Sequence, residues 1–102
     1  MKLKDGVSLS GLRIEMRTVL VNANMVWRAH GQELVVTSGT EWDEKRLAGT
    51  LHIYGYAVDL RTRYFTPKAI NEVQADLSRI LGYKYSVLIE KDHIHVEFKE
   101  AI

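Results

Sequence analysis

A chain of 102 residues, 46% hydrophobic and 26% charged, has the composition of one ordinary globular domain, with a modest core and no room for a second. Fourteen Lys and Arg against thirteen Asp and Glu leave a net charge of +1, which argues against a dominant nucleic-acid or anionic-membrane binder. The absence of cysteine excludes disulfides, thiolate metal sites and a cysteine nucleophile, so any metal falls to Asp, Glu or the four histidines.

Met1-Lys2-Leu3-Lys4-Asp5-Gly6 has no apolar leader core, and no run approaches the ~18 apolar residues of a membrane span. Synthesis in the cytoplasm is expected, as one domain over residues 1–102 and as a monomer. Residues 12–29 predict a helix. Leu12, Met16, Val19, Leu20, Ala23, Val26 and Trp27 recur at steps of three and four, with Ser10 as N-cap, Glu15 in the first turn and His30-Gly31 as the stop. Residues 33–38 are short and β-branched and predict a strand. Residues 39–51, with two glycines and many charges, predict an irregular loop. Residues 56–61 predict a second strand. Thr66-Pro67 starts a second helix, with Ile70, Val73, Leu77, Ile80 and Leu81 as its apolar face and Gly82 as its end. Residues 84–90 and 93–98 predict a hairpin turning at Lys91-Asp92. The expected class is α+β, two helices on a small, mainly antiparallel sheet.

Chemistry gathers beside the strand ends. Asp59 lies inside the apolar run Ala57-Val58-Asp59-Leu60, where it opposes strand propensity and is costly to bury unpaired. A cation is one compensation; ending the strand early and pairing with Arg61 or Arg63 at the surface is another. In the last strand, alternation puts His93, His95 and Glu97 on one face and Ile94, Val96 and Phe98 on the core face. The same alternation also describes any half-exposed strand with polar residues facing water.

Thr50-Leu51-His52-Ile53-Tyr54-Gly55-Tyr56-Ala57-Val58-Asp59 resembles the pattern Ser/Thr-x-His-x-x-Gly-x-Ala-x-Asp. That is the first zinc motif of the D-Ala-D-Ala carboxypeptidase and dipeptidase family, which includes phage L-alanyl-D-glutamate endopeptidases and shares its fold with the hedgehog domain. Asp92-His93-Ile94-His95 is similar to the second motif, an acidic residue three positions before a histidine, with Asp in place of the more usual Glu. Ser10-Gly11-Leu12, Val35-Val36-Thr37-Ser38-Gly39 and Asp59-Leu60-Arg61-Thr62-Arg63 extend the resemblance from about residue 8 to 98.

The resemblance implies a zinc metallopeptidase cutting an amide bond next to a D-amino acid in peptidoglycan peptides, of the phage-endolysin kind. It implies His52, Asp59 and His95 as zinc ligands and Asp92 as general base, with Glu90 and Glu97 as fallbacks. Three protein ligands with an open fourth position suit a catalytic zinc. His93, Arg61, Arg63, Tyr54 and Trp42 are candidates for substrate contact. Relatives commonly carry an arginine shortly after the Ser-Gly; here Thr40-Glu41-Trp42 follows, and Lys45 or Arg46 is the nearest substitute. Those two departures leave a non-catalytic zinc-binding module of the same fold as the alternative.

Overall fold

The computed structural model describes residues 1–42 and 50–100. The elements run β1 (Lys2–Leu3), α1 (Ile14–Ala29), β2 (Val35–Ser38), β3 (Ala57–Arg61), α2 (Pro67–Leu81), β4 (Tyr85–Ile89) and β5 (His93–Phe98). The five strands form one sheet in the order β1-β2-β3-β5-β4, with β1 parallel to β2 and every other pair antiparallel. This is the expected α+β class.

The core lies between the sheet and the two helices. Alternation along β3 buries Val58 and Leu60 on the helix side, and β5 adds Ile94 and Val96, all fully buried. From α1 they meet Met16, Val19, Leu20, Ala23, Val26 and Trp27; from α2, Val73 and Leu77. Each large side chain here contributes roughly 1.5–3 kcal/mol of burial. The opposite face of the sheet therefore receives the odd-numbered residues of β3 and β5, among them Asp59, His93 and His95.

The second helix starts and stops as its sequence demands. Thr66 Oγ1 accepts from the Ala69 amide at 3.2 Å, Pro67 follows it, and Gly82 ends the helix. Ile80, expected on the apolar face, is 44% exposed instead, because that face is narrower than the sequence pattern. The first helix begins two residues later than expected. Its N-cap position is Arg13, with no side-chain cap bond, and Ser10 is engaged elsewhere: its carbonyl accepts from Thr40 Oγ1 at 2.6 Å. Leu12 is buried as expected, but ahead of the helix, its amide bonded to the Leu9 carbonyl. The strand expected over 33–38 is confined to Val35–Ser38, and the hairpin turns at 90–92, where the Glu90 amide meets the His93 carbonyl at 2.8 Å. The two-residue β1 is too short to leave a periodic signal.

The described part of the loop before β3 is a compact turn. Gly55 N bonds His52 O at 3.1 Å and Tyr56 N bonds Leu51 O at 2.9 Å. The turn is fastened to the entrance of α1: the Arg13 amide donates to the Gly55 carbonyl at 3.1 Å, and the Arg13 guanidinium reaches the Tyr54 carbonyl and lies 5.3 Å from the Tyr56 ring centroid. Gly55 has φ +83°, and a Cβ there would stand 2.4 Å from the Gly11 carbonyl oxygen. Both the left-handed conformation and the close approach require glycine.

Gly55→Ala is expected to cost at least ~1–2 kcal/mol from the backbone conformation alone, and more from the clash. Chemical denaturation measures it; an unchanged midpoint and slope would refute the constraint.

Candidate metal centre

Three side chains from three separate segments meet on the face of the sheet away from the helices. Asp59 comes from the centre of β3, and His95 is its direct partner across the β3–β5 ladder. His52 comes from the turn just before β3 and is buried. Asp59 Oδ1 lies 2.8 Å from His95 Nδ1 and 3.3 Å from His52 Nε2. The two imidazole rings stand edge to face with centroids 5.1 Å apart. One donor atom from each residue lies within 4.8 Å of the others, so the group could hold a metal ion.

The surrounding hydrogen bonds fit that use. His52 Nδ1 faces the Gly39 carbonyl at 3.1 Å. A carbonyl only accepts, so Nδ1 donates to it and Nε2 is the nitrogen left facing Asp59. His95 Nε2 donates to Glu97 Oε1 at 2.8 Å, which leaves Nδ1 on the Asp59 side. Metal-ligating histidines are ordinarily held in this way, by a carbonyl or carboxylate on the far nitrogen. Donors around a tetrahedral zinc stand roughly 3.3 Å apart, given metal–ligand distances of about 2.0–2.2 Å. The His52–Asp59 separation of 3.3 Å matches that value and the 2.8 Å of the direct His95–Asp59 hydrogen bond is shorter, so the donor set fits a metal in kind, with His95 giving up that hydrogen bond to make room.

The support for His52 continues outward. A Cβ on Gly39 would stand 2.2 Å from the Ser8 carbonyl oxygen, so only glycine fits just past the end of β2 against the segment that carries Ser8. Glu41 accepts from the amides of Gly39 and Ser8 through Oε1, at 2.9 and 3.1 Å, and from Ser38 Oγ through Oε2 at 3.1 Å. The loop carbonyl that orients His52 is thereby fixed from both sides. Nothing in the sequence pattern marked Glu41 or the Gly39 carbonyl for this duty.

Of the two compensations open to Asp59, its described ion pairs are all with histidines and none is with Arg61 or Arg63. Burial raises the Asp59 carboxyl pKa, but hydrogen bonds from His52 and His95 outweigh it and hold the group well below the usual carboxylate range. The hydrogen bond to Asp59 pushes His95 up to about 9, against the opposing effect of burial and with help from Glu97.

His93 is the next residue on the same face. Its Nδ1 lies 2.6 Å from Asp92 Oδ1, and its Nε2 looks toward Asp59 Oδ2 at 3.7 Å and Glu90 Oε1 at 3.8 Å. Asp92 is mostly exposed, and its bond to His93 lowers its pKa. Arg61 is half-buried and lines a cleft with Asp59. The Tyr54 ring is 53% exposed on the His52 turn, and Trp42 is 71% exposed. Lys45 and Arg46 lie outside the described residues. His30 is unrelated to the site; it pairs with Asp76 at 2.9 Å and ties the end of α1 to α2.

No protein-family model, curated protein or solved structure matches the chain.

Without metal, the raised His95 should make stability pH-dependent. Its charged form is favoured in the fold, so the gain is fully present below pH 6.5 and is lost as pH rises through about 9. Thermal melts of chelated protein are expected to fall across that window, by on the order of 2 kcal/mol. Metal competes with that proton, so metal affinity should rise over the same range. A chelated melt that is flat from pH 6.5 to 9 would contradict the pairing.

Proposed function

We propose that this chain is a zinc-dependent peptidase that hydrolyses an amide bond beside a D-amino acid in peptidoglycan peptides, in the manner of a phage endolysin. The observation that carries the reading is the convergence of His52, Asp59 and His95 with both imidazoles oriented from behind. The motif resemblance supplies the substrate class. A zinc ion bound there supplies a Lewis acid, which lowers the pKa of water to around 7 and polarises a carbonyl.

The chain's own residues then have separable duties. His52 and His95 supply neutral nitrogen donors, and Asp59 supplies an anionic oxygen. The Gly39 carbonyl and Glu97 fix which nitrogen each ring presents. Glu97 is thus a positioning residue for His95, occupied by that bond. Asp92 is the proposed general base: the water oxygen bonds to the carbonyl carbon, its proton passes to the base and then to the leaving amine as the C–N bond breaks. The 2.6 Å bond between Asp92 and His93 favours a second route, in which Asp92 orients His93 and the imidazole carries the proton. His93 Nε2 already faces the Asp59 side of the site.

His95→Ala is expected to abolish both zinc binding and hydrolysis of purified peptidoglycan, followed by mass spectrometry of the released peptides. Asp92→Ala should leave zinc affinity within a few-fold and cut hydrolysis about 10²–10⁴-fold, the usual cost of losing a general base. If His93→Gln loses as much as Asp92→Ala while Asp92→Asn retains activity, His93 carries the proton. Stoichiometric zinc with no hydrolysis by the native chain would select the non-catalytic zinc module instead.

The zinc assignment has its own test in stability. Zinc that binds only the folded chain stabilises it by mass action, by about 2.7 kcal/mol at a hundredfold excess over Kd. Chelation should therefore lower the melting temperature of the zinc-loaded chain by several degrees, and of Asp59→Asn by much less. Equal melts with and without zinc, at saturating metal, would refute it.

A further inference from the structure

A cleft of about 220 Å³ opens beside Asp59, and the metal ligands do not account for its character. Lys4, Arg61 and Arg63 line it, with Ser38, Asp59 and Asp92. The two carboxylates are already engaged: Asp59 by His52 and His95, Asp92 by His93. Among the described residues Lys4, Arg61 and Arg63 have no ion pair. Three cations thus face a cavity whose own anions are matched by imidazoles, and the surplus is positive.

The placement of these cations follows from the sheet. Lys4 leaves β1 with its amide bonded to the Val36 carbonyl of β2 at 2.9 Å. Arg61 is two residues beyond Asp59 on β3, so alternation puts both on one face, roughly 6.6 Å apart along the strand. One extended residue spans about 3.3–3.6 Å. An anion held at Arg61 therefore leaves one to two residues of extended peptide before the Asp59 end of the cleft. Planar guanidinium groups match a carboxylate, and Lys4 adds a point charge.

We propose that this cleft is a carboxylate subsite, which anchors a free carboxylate of the substrate one to two residues from the bond that is cut. The identity of the substrate rests on the peptidase reading; the affinity for a carboxylate does not. Two sources share the chemistry. One is the carboxylate at a chain terminus, and the other is the α-carboxylate of a γ-linked D-glutamate within a chain.

The test is a titration of the full ¹⁵N-labelled chain, chelated so that nothing is hydrolysed, followed by NMR. The probes are N-acetyl-D-alanyl-D-alanine and its C-terminal amide, and L-alanyl-γ-D-glutamyl-L-lysine and its counterpart with the glutamate α-carboxylate amidated. The acid of at least one pair should bind about tenfold or more tightly than its amide, with the largest shifts at Lys4, Arg61 and Arg63. The pair that discriminates identifies the source. Lys4→Gln and Arg63→Gln, both at exposed positions, should retain the native spectrum and reduce the preference to below about threefold. Equal binding of acid and amide in both pairs, or a preference that survives both substitutions, overturns the subsite. Zinc binding is measured separately, so a chain that prefers the acids but binds no zinc would keep the subsite and lose the peptidase reading.

Discussion

The carboxylate of Asp59 governs the rest of the site. It is held at the middle of the central strand, between Val58 and Leu60, which cannot leave the core. Its side chain is therefore fixed on the opposite face, largely removed from water, where a negative charge demands a positive partner. The fold answers with imidazoles rather than arginines. This choice matters chemically, because an arginine cannot give up its charge and a histidine can. An arginine would close the site as a permanent ion pair. Two histidines leave it able to exchange a proton for a metal ion.

The second constraint is orientation. His95 arrives opposite Asp59 because β3 and β5 are paired in that register, and a slip of one residue would turn His95 into the core. His52 has no ladder to hold it. It depends on the turn closed by Gly55 and clamped by Arg13, and on the Gly39 carbonyl, which is itself pinned by Ser8 and Glu41. The geometry of the candidate ligands thus reaches back to residues 8–13 at the far end of the chain. The short β1 belongs to the same logic, since it carries Lys4 to the cleft beside Asp59.

Much of this was legible in the sequence, for identifiable reasons. Thr66-Pro67 and Gly82 bound α2 because capping and termination are local chemistry. The alternation His93-Ile94-His95-Val96 sets the two faces of β5 because a strand has period two. Asp59 stood out because it violates its apolar surroundings. What the sequence withheld is non-local. Ser10 had the character of a helix cap, but Thr40, thirty residues away, takes its carbonyl and the helix starts later. Glu97 read as a fallback base or as strand-surface charge, and only the folded chain puts it behind His95. Lys4 carried no signal, since two residues of strand have no pattern to read.

The central claim is that the positive charge demanded by Asp59 is a metal ion. The most direct measurement is an anomalous difference map from crystals grown with zinc, recorded on both sides of the zinc absorption edge. The account predicts one strong peak per chain, bounded by His52 Nε2, His95 Nδ1 and the Asp59 carboxylate, with the Gly39 and Glu97 contacts intact. A map with no peak there, and Asp59 still bonded directly to a protonated His95, would contradict it.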